Sequence, residues 1–396
     1  MANDRMKSRN VTKRLYSING KPSLTAFKAL VEQATTKETY PLAADIQKSI
    51  PVYDCSTIDL DDPGQVDAWQ DELNHILTSG PGVYVLQNFF TDHTSIDAAN
   101  TAYSTIIDQE LATNGAKGDH FASAGTNSRI WNSLQKHCIQ SPSSFLSYYS
   151  NSLWPVVCES YLGPSYRLTA QVNIVKPGGK AQVCHRDYHL GFQTAETCAM
   201  IPKALHITTQ FLTLQGAVAH TDMPLESGPT RFLPYSQGFE EGYMAYRLPE
   251  FNEYFLEHYV SLPLRKGDAV FFSPALFHAA GENVTTDFER CANLIQVSSA
   301  FGKTMETIDS LPLIEATFEE FQGWHEEKRM AREVEAFVKA VGVGYSFPTN
   351  LDKRPPAPGG MAPESEQDVL KRALKEGWGK EKVMETMRGM REDSKA

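Results

Sequence analysis

Residues 166–187 read YRLTAQVNIVKPGGKAQVCHRD. The first ten alternate and carry β-branched and aromatic side chains, the pattern of a strand. Pro177-Gly178-Gly179 then turns the chain, and His185-Arg186-Asp187 follows where a chain would enter the mouth of a barrel. Similar short runs recur downstream: HITTQFLTLQGAVA at 206–219, DAVFFS at 268–273 and ANLIQVSSA at 292–300. Gly228-Pro229, Gly267-Asp268 and Gly281-Glu282-Asn283 punctuate them. Many short strands with no helices between them favour an antiparallel sandwich or barrel over a parallel sheet. The expected fold class is therefore mainly β with flanking helices, around a double-stranded β-helix (jelly-roll) core whose tapered mouth can hold a metal and a small acid.

Outside this region the period changes. VDAWQDELNHILT at 66–78 predicts an amphipathic helix ended by Gly80-Pro81, and GVYVLQNFF at 82–90 a strand. A helix is expected from Thr94, and another from about Ser143 to Tyr161 with a kink at Pro155. Helical spacing returns after Thr304, and a Pro/Gly-rich stretch precedes a final charged helix from Glu364 to about Arg391. The apolar stripe of that helix, Val369, Leu370, Ala373 and Leu374, needs a covering surface, either its own domain or a second copy in a homodimer. The expected organisation is an arm at 1–50, a catalytic domain at 51–303 with N-terminal helices, a helical extension at 304–347, a linker at 348–365 and a C-terminal helix at 366–396.

Composition narrows the function. The 396 residues are 41% hydrophobic and 21% charged, with a net charge of −11. That balance is ordinary for a globular chain and argues against a nucleic-acid or anionic-membrane binder, either of which would need a basic surface. No apolar run approaches the ~20 residues of a membrane span. The opening MANDRMKSRNVTKRLYS is basic but has no apolar h-region, and Ser394-Lys395-Ala396 differs from the Ser-Lys-Leu peroxisomal address. Six cysteines lack any C-x-x-C spacing and read as reduced thiols, so a cytoplasmic protein is expected.

His185, Asp187 and the distant His278 are the candidate catalytic and metal-binding residues. Two neutral imidazoles and one carboxylate on one face of an ion leave positions open, the arrangement of a non-haem Fe(II) oxygenase that binds a cosubstrate and O₂. A second His-x-Asp, His220-Thr221-Asp222, competes for the role, but it runs into the turn-rich MPLESGPT, where Asp222 and Glu226 suit backbone bonding. Cys184 is expected to point away from the His185 face. Arg290 begins the apolar run ANLIQV and needs an anion. Either a dicarboxylate cosubstrate supplies it, or Glu289 or Asp287 does.

Taken together, SYLGPSYRLTAQVNIVKPGGKAQVCHRD, ESGPTRFLPYSQ and KGDAVFFSPALFHAAGENVTTDFER resemble, in order, the motifs of the phytanoyl-CoA dioxygenase family of Fe(II)/2-oxoglutarate oxygenases. The likeness runs from about Leu153 to Phe301. It implies that His185, Asp187 and His278 ligate iron and that Arg290 pairs with 2-oxoglutarate. Two departures stand out: Pro234-Tyr235-Ser236-Gln237 replaces the family's Pro-Gly-Ser-His, and Ala280 replaces a small hydroxyl, so Thr230 is the candidate for a second bond to the cosubstrate. Gln171 is the candidate for its near end. An aspartate, rather than the small residue of halogenating relatives, favours hydroxylation, desaturation, ring formation or endoperoxidation.

The reaction so implied oxidises an unactivated C–H bond of a small organic substrate, lipid-like or a secondary metabolite, and releases succinate and CO₂. Arg129, Tyr188, His189 and Arg231 are the expected substrate contacts, with Trp131, Phe192 and Tyr235 nearby. Two other classes fit the same residues: a non-redox metal-dependent hydrolase or isomerase on a cupin-like barrel, and a non-catalytic binding protein that keeps the fold.

Overall fold

The computed structural model describes residues 11–114, 127–187, 189–327 and 331–396. Ten strands occur among them: β1 Asp45–Gln47, β2 Ile50–Asp54, β3 Val83–Gln87, β4 Asn127–Ile130, β5 Arg167–Val175, β6 Thr213–Ala219, β7 Arg231–Leu233, β8 Ala269–Phe272, β9 Phe277–Ala279 and β10 Arg290–Ser298. Eight form one sheet in the order β1-β2-β3-β8-β6-β10-β5-β4, and β7 pairs with β9 in a second. The pairs are antiparallel except β2 with β3. Among the described residues helices occupy more of the chain than strands do. The expected mainly β chain is thus corrected to a mixed sheet with flanking helices.

Alternation along the long strands fixes what each face meets. On β10, Cys291, Ile295 and Val297 point into the large core, whereas Arg290, Ala292, Leu294 and Gln296 line a cavity. On β5, Leu168, Ala170 and Val172 face that core and Gln171 and Asn173 the cavity. The registers Leu294↔Gln171 and Leu294↔Ala217 carry the alternation across neighbouring strands. A slip of one residue would put Arg290 among the helices.

The flanking helices form for local reasons. Asp62 caps Pro63–Thr78 by accepting from Gly64 and Gln65, and Pro63 at its start has no N–H to leave unpaired. Trp69, Leu73, Ile76 and Leu77 are its buried stripe. The expected kinked helix at 143–161 is instead two helices, Pro142–Tyr149 and Leu153–Leu162. Asn151 pins the break: its amide donates to Phe89 O at 2.7 Å and its oxygen accepts from Leu153 N at 3.0 Å. Pro155 therefore sits in a first turn, where a missing N–H costs little. HITTQFLTLQGAVA is also only half a strand, because Lys203–Thr208 is helical after Pro202. Further short helices, Ala195–Met200, Gly242–Ala245 and Pro249–His258, lie between strands where none was expected.

At the N-terminal side, Ser23 caps Leu24–Val31, which seats fully buried Phe27 against Phe239, Phe251, Tyr254 and Phe277. The expected final helix is two, Glu366–Glu376 and Lys380–Asp393, because Gly377 takes the left-handed conformation (φ 66°) that ends the first. Val369, Leu370, Ala373 and Leu374 join the same core cluster as the sheet's outer face. All six cysteines are buried and unpaired. No helix among the described residues is long and apolar enough to cross a membrane.

Phe337, fully buried, packs against Phe321 in a tilted pair and Phe145 edge-on, at ring separations of 5.3 and 5.8 Å. Phe337→Ala is expected to cost about 3–5 kcal/mol, read as a shift of one cooperative urea transition. Two resolved transitions, with the sheet's unmoved, would mean the C-terminal helices fold as a separate unit.

Candidate metal and cosubstrate site

A turn and a three-residue strand bring the distant histidines together. His185 N–H donates to His278 O at 3.0 Å, and His278 N–H donates back to His185 O at 3.1 Å. Asp187 N–H is held by Pro274 O at 2.9 Å. His185 and Asp187, two residues apart, line the cavity, while Cys184 and Arg186 turn back into the protein. Arg186 fastens the segment from behind: one guanidinium nitrogen donates to Ser236 O and Gln237 O, both at 2.8 Å, and the group lies 4.9 Å from the Tyr243 ring.

Ligand atoms of His185, Asp187 and His278 all lie within 4.8 Å of one another. Nε2 of His185 is 3.8 Å from one Asp187 oxygen, and Nε2 of His278 is 3.6 Å from the other. Both Nδ1 atoms are fixed by carbonyls at 2.8 Å, Val183 O for His185 and Leu276 O for His278. A carbonyl only accepts, so each Nδ1 carries the proton and each Nε2 lone pair is left for a metal. The Gln215 amide donates to Asp187 at 2.8 Å. Burial works to raise the Asp187 carboxyl, but with the histidines protonated a hydrogen bond from His278 and both ring charges, joined by the Gln215 amide, hold it below the usual carboxylate range. Burial, then His278, lowers His185. A carboxylate beside neutral imidazole nitrogens is the state a divalent cation needs.

The cavity, about 640 Å³, runs between the two sheets from this cluster to Arg290. Phe232 of β7 meets Phe272 of β8 across it at a ring separation of 5.0 Å. Arg290 is 6% exposed, and its guanidinium donates to Ser227 O at 3.2 Å. Burial pushes it down to about 10, which leaves it charged at neutral pH. Glu289 and Asp287 point to solvent, and among the described residues no carboxylate pairs with Arg290. A buried cation of this kind calls for an anion from outside the chain.

The competing His220 is spent elsewhere. Its Nδ1 donates to Asn100 at 2.6 Å and its Nε2 accepts from Tyr148 at 2.9 Å, so neither ring nitrogen has a lone pair for a metal. Asp222 accepts from Lys266 N–H at 2.9 Å.

The remaining expected residues divide. Thr230, Gln171, Arg129, Trp131 and Phe192 line the cavity. Arg231 does not: it donates to Gln182 O at 2.7 Å and Ala280 O at 3.3 Å and stacks on Tyr259. Tyr235 has φ 67° and shares a hydrogen bond with Thr35 at 2.8 Å, outside the cavity. His189 is not among the described lining residues, and Tyr188 lies outside the described residues. Gln215 was not foreseen. Its signal was a polar residue in the apolar run TLQGAVA, but only the register gives it the metal-side face.

The family model of phytanoyl-CoA dioxygenase matches residues 58–291, more than half the chain. The chain belongs to the phytanoyl-CoA dioxygenase family. No curated protein matches it. Solved structures matched by the chain include the non-heme alpha ketoglutarate dependent epimerase SnoN from nogalamycin biosynthesis, at 17% identity, 60% of this chain, 84% of that chain and a TM-score of 0.39. The alpha ketoglutarate dependent carbocyclase SnoK from the same biosynthesis is matched at 17% identity, 62% and 85% coverage and a TM-score of 0.41. The cofactors of the phytanoyl-CoA dioxygenase family are iron and 2-oxoglutarate, and the residues at hand fit both: a two-histidine, one-carboxylate donor set for Fe(II), and an arginine without an anion for a dicarboxylate.

Asp187→Ala is expected to abolish tight Fe(II) binding, and Gln215→Ala to weaken it by about 10-fold, in equilibrium dialysis at pH 7. Unchanged affinity in Asp187→Ala would remove this cluster from consideration as the metal site.

Proposed function

We propose that this phytanoyl-CoA dioxygenase family member hydroxylates an unactivated C–H bond of a small organic substrate, coupled to conversion of 2-oxoglutarate and O₂ to succinate and CO₂. The two facing sheets are read as a double-stranded β-helix, with His185 and Asp187 entering it and His278 on its short strand β9. The observation that carries the reading is one cavity shared by a buried Arg290, with no carboxylate partner among the described residues, and a His-Asp-His cluster.

When bound, iron with 2-oxoglutarate as the co-reductant would activate O₂, which is the oxidant. The chain's own residues bind, orient and exclude water. His185 and His278 present Nε2, and Asp187, held by Gln215, presents a carboxylate. Arg290 grips the far carboxylate of 2-oxoglutarate by a charge-assisted pair, with Thr230 within the same cavity for a further hydrogen bond. Val85, Val270, Phe272, Leu264 and Met223 form an apolar wall that keeps this end dry, so the Arg290 charge acts at low dielectric. Asp187, in place of the small residue of halogenating relatives, would hold the iron through a carboxylate and favour transfer of oxygen over halogenation.

Arg290→Ala is expected to weaken 2-oxoglutarate by about 2–5 kcal/mol, roughly 30-fold or more in its KM. The measurement is succinate release against 2-oxoglutarate concentration under O₂, with Fe(II) saturating. An unaltered KM would sink the assignment of Arg290, and metal-dependent turnover without O₂ uptake would favour a hydrolase or isomerase.

A further inference from the structure

One wall of the cavity brings an oxidisable ring of the chain itself to the metal cluster. Phe272 ends β8, and its register sets it opposite Gln215 of β6 on one side and Val83 of β3 on the other. Gln215 is the residue whose amide donates to Asp187, so strand pairing alone brings Phe272 beside the carboxylate ligand. A second contact brings it to a histidine ligand. Its ring lies 4.8 Å from the His278 ring, tilted by 60°. Phe232 packs on the same ring at 5.0 Å, and Phe272 is 7% exposed. A ring packed among neighbours in this way has little room to swing aside.

Other easily oxidised side chains of the lining start farther from the cluster. The Met305 sulfur meets the Gln171 amide at 3.2 Å. Gln171 and Gln215 stand on strands that flank β10, so their backbones are roughly 10 Å apart. Trp131 follows edge strand β4, one strand beyond β5. Phe192 lies toward solvent, 56% exposed. Phe272 is therefore the ring that packs against one ligand and pairs with the support of another.

We propose that, with iron and 2-oxoglutarate bound and no substrate in the cavity, the chain hydroxylates the ring of its own Phe272. This rests on the proposed 2-oxoglutarate-coupled oxygenation at His185, Asp187 and His278. 2-Oxoglutarate loses its C1 carboxylate as CO₂, and one atom of O₂ enters the new carboxylate of succinate. The other atom is inserted between a ring carbon of Phe272 and its hydrogen, which stays on the phenol oxygen. O₂ takes up four electrons, two from 2-oxoglutarate and two from the ring. Phe272 competes for that oxygen because it is already in place, the advantage of any reaction between groups held together. A substrate seated nearer the cluster takes the oxygen first, so the modification marks turnover that found none.

The test is aerobic incubation of the full chain with Fe(II), 2-oxoglutarate and isotopically labelled O₂, followed by peptide mass spectrometry. The peptide carrying Phe272 is expected to gain one labelled oxygen atom, which fragmentation places on that residue. Phe272 should carry at least about tenfold more label than Met305 or Trp131, the discrimination that placement confers. Omitting 2-oxoglutarate should abolish the labelled product, and so should Asp187→Ala. Label that gathers on Met305 or Trp131 instead, or that reaches Phe272 without 2-oxoglutarate, would overturn the proposal. So would a wild-type protein that binds 2-oxoglutarate with Fe(II) in anaerobic calorimetry and then takes up no oxygen at Phe272 in air. Failure to bind 2-oxoglutarate in that calorimetry would instead strike the reading of the site as a 2-oxoglutarate oxygenase.

Discussion

Two backbone hydrogen bonds between His185 and His278 hold the site together. They are the ends of a bridge between a loop and a three-residue strand that are far apart in the chain. Because the exchange is reciprocal, it fixes the position of both residues and also which way their side chains leave the backbone. Asp187 is then placed by alternation, and Arg186 by the same alternation is driven into the protein, where Ser236, Gln237 and Tyr243 receive it. The metal cluster and the buried cation behind it are two faces of one local constraint.

The larger sheet applies the same rule at longer range. Its outer face is sealed by helices from both ends of the chain, including Pro63–Thr78 and the C-terminal pair, in one continuous core. Its inner face is left with a mixed lining: apolar where Val85, Val270 and Phe272 stand, polar where Gln171, Asn173, Gln215 and Gln296 stand. Four buried amides on one sheet face are costly unless something hydrogen-bonds them. Asp187 takes Gln215 and Arg129 takes Gln171. The side-chain oxygens of Asn173 and Gln296 accept from no donor among the described residues.

Much of the site was legible in the chain because its chemistry is concentrated in few residues. His185 and Asp187 followed a strand and a glycine turn, and the rival His220-Thr221-Asp222 differed from them in its turn-rich context. Arg290 was legible as a cation at the start of an apolar strand. Elements were less legible where local and tertiary preferences compete. Ile207, Thr208 and Thr209 read as strand by side-chain type, yet Pro202 starts a helix there. The break at Ser150–Ser152 depends on Asn151 reaching Phe89, a partner that no local pattern announces.

By itself the sequence determined the donor set of His185, Asp187 and His278, the arginine proposed to anchor 2-oxoglutarate, and the alternation that gives a sheet two different faces. Those are properties of side chains and of period-two geometry, present in any register. Only the tertiary structure decided which polar residue supports Asp187, why Arg231 serves the scaffold while Arg129 faces the cavity, and that Gln171 stands with Arg129. Each of these depends on strand register and on which distant carbonyl or ring comes within about 3–5 Å, and such distances are set by the packed whole and not by neighbouring residues.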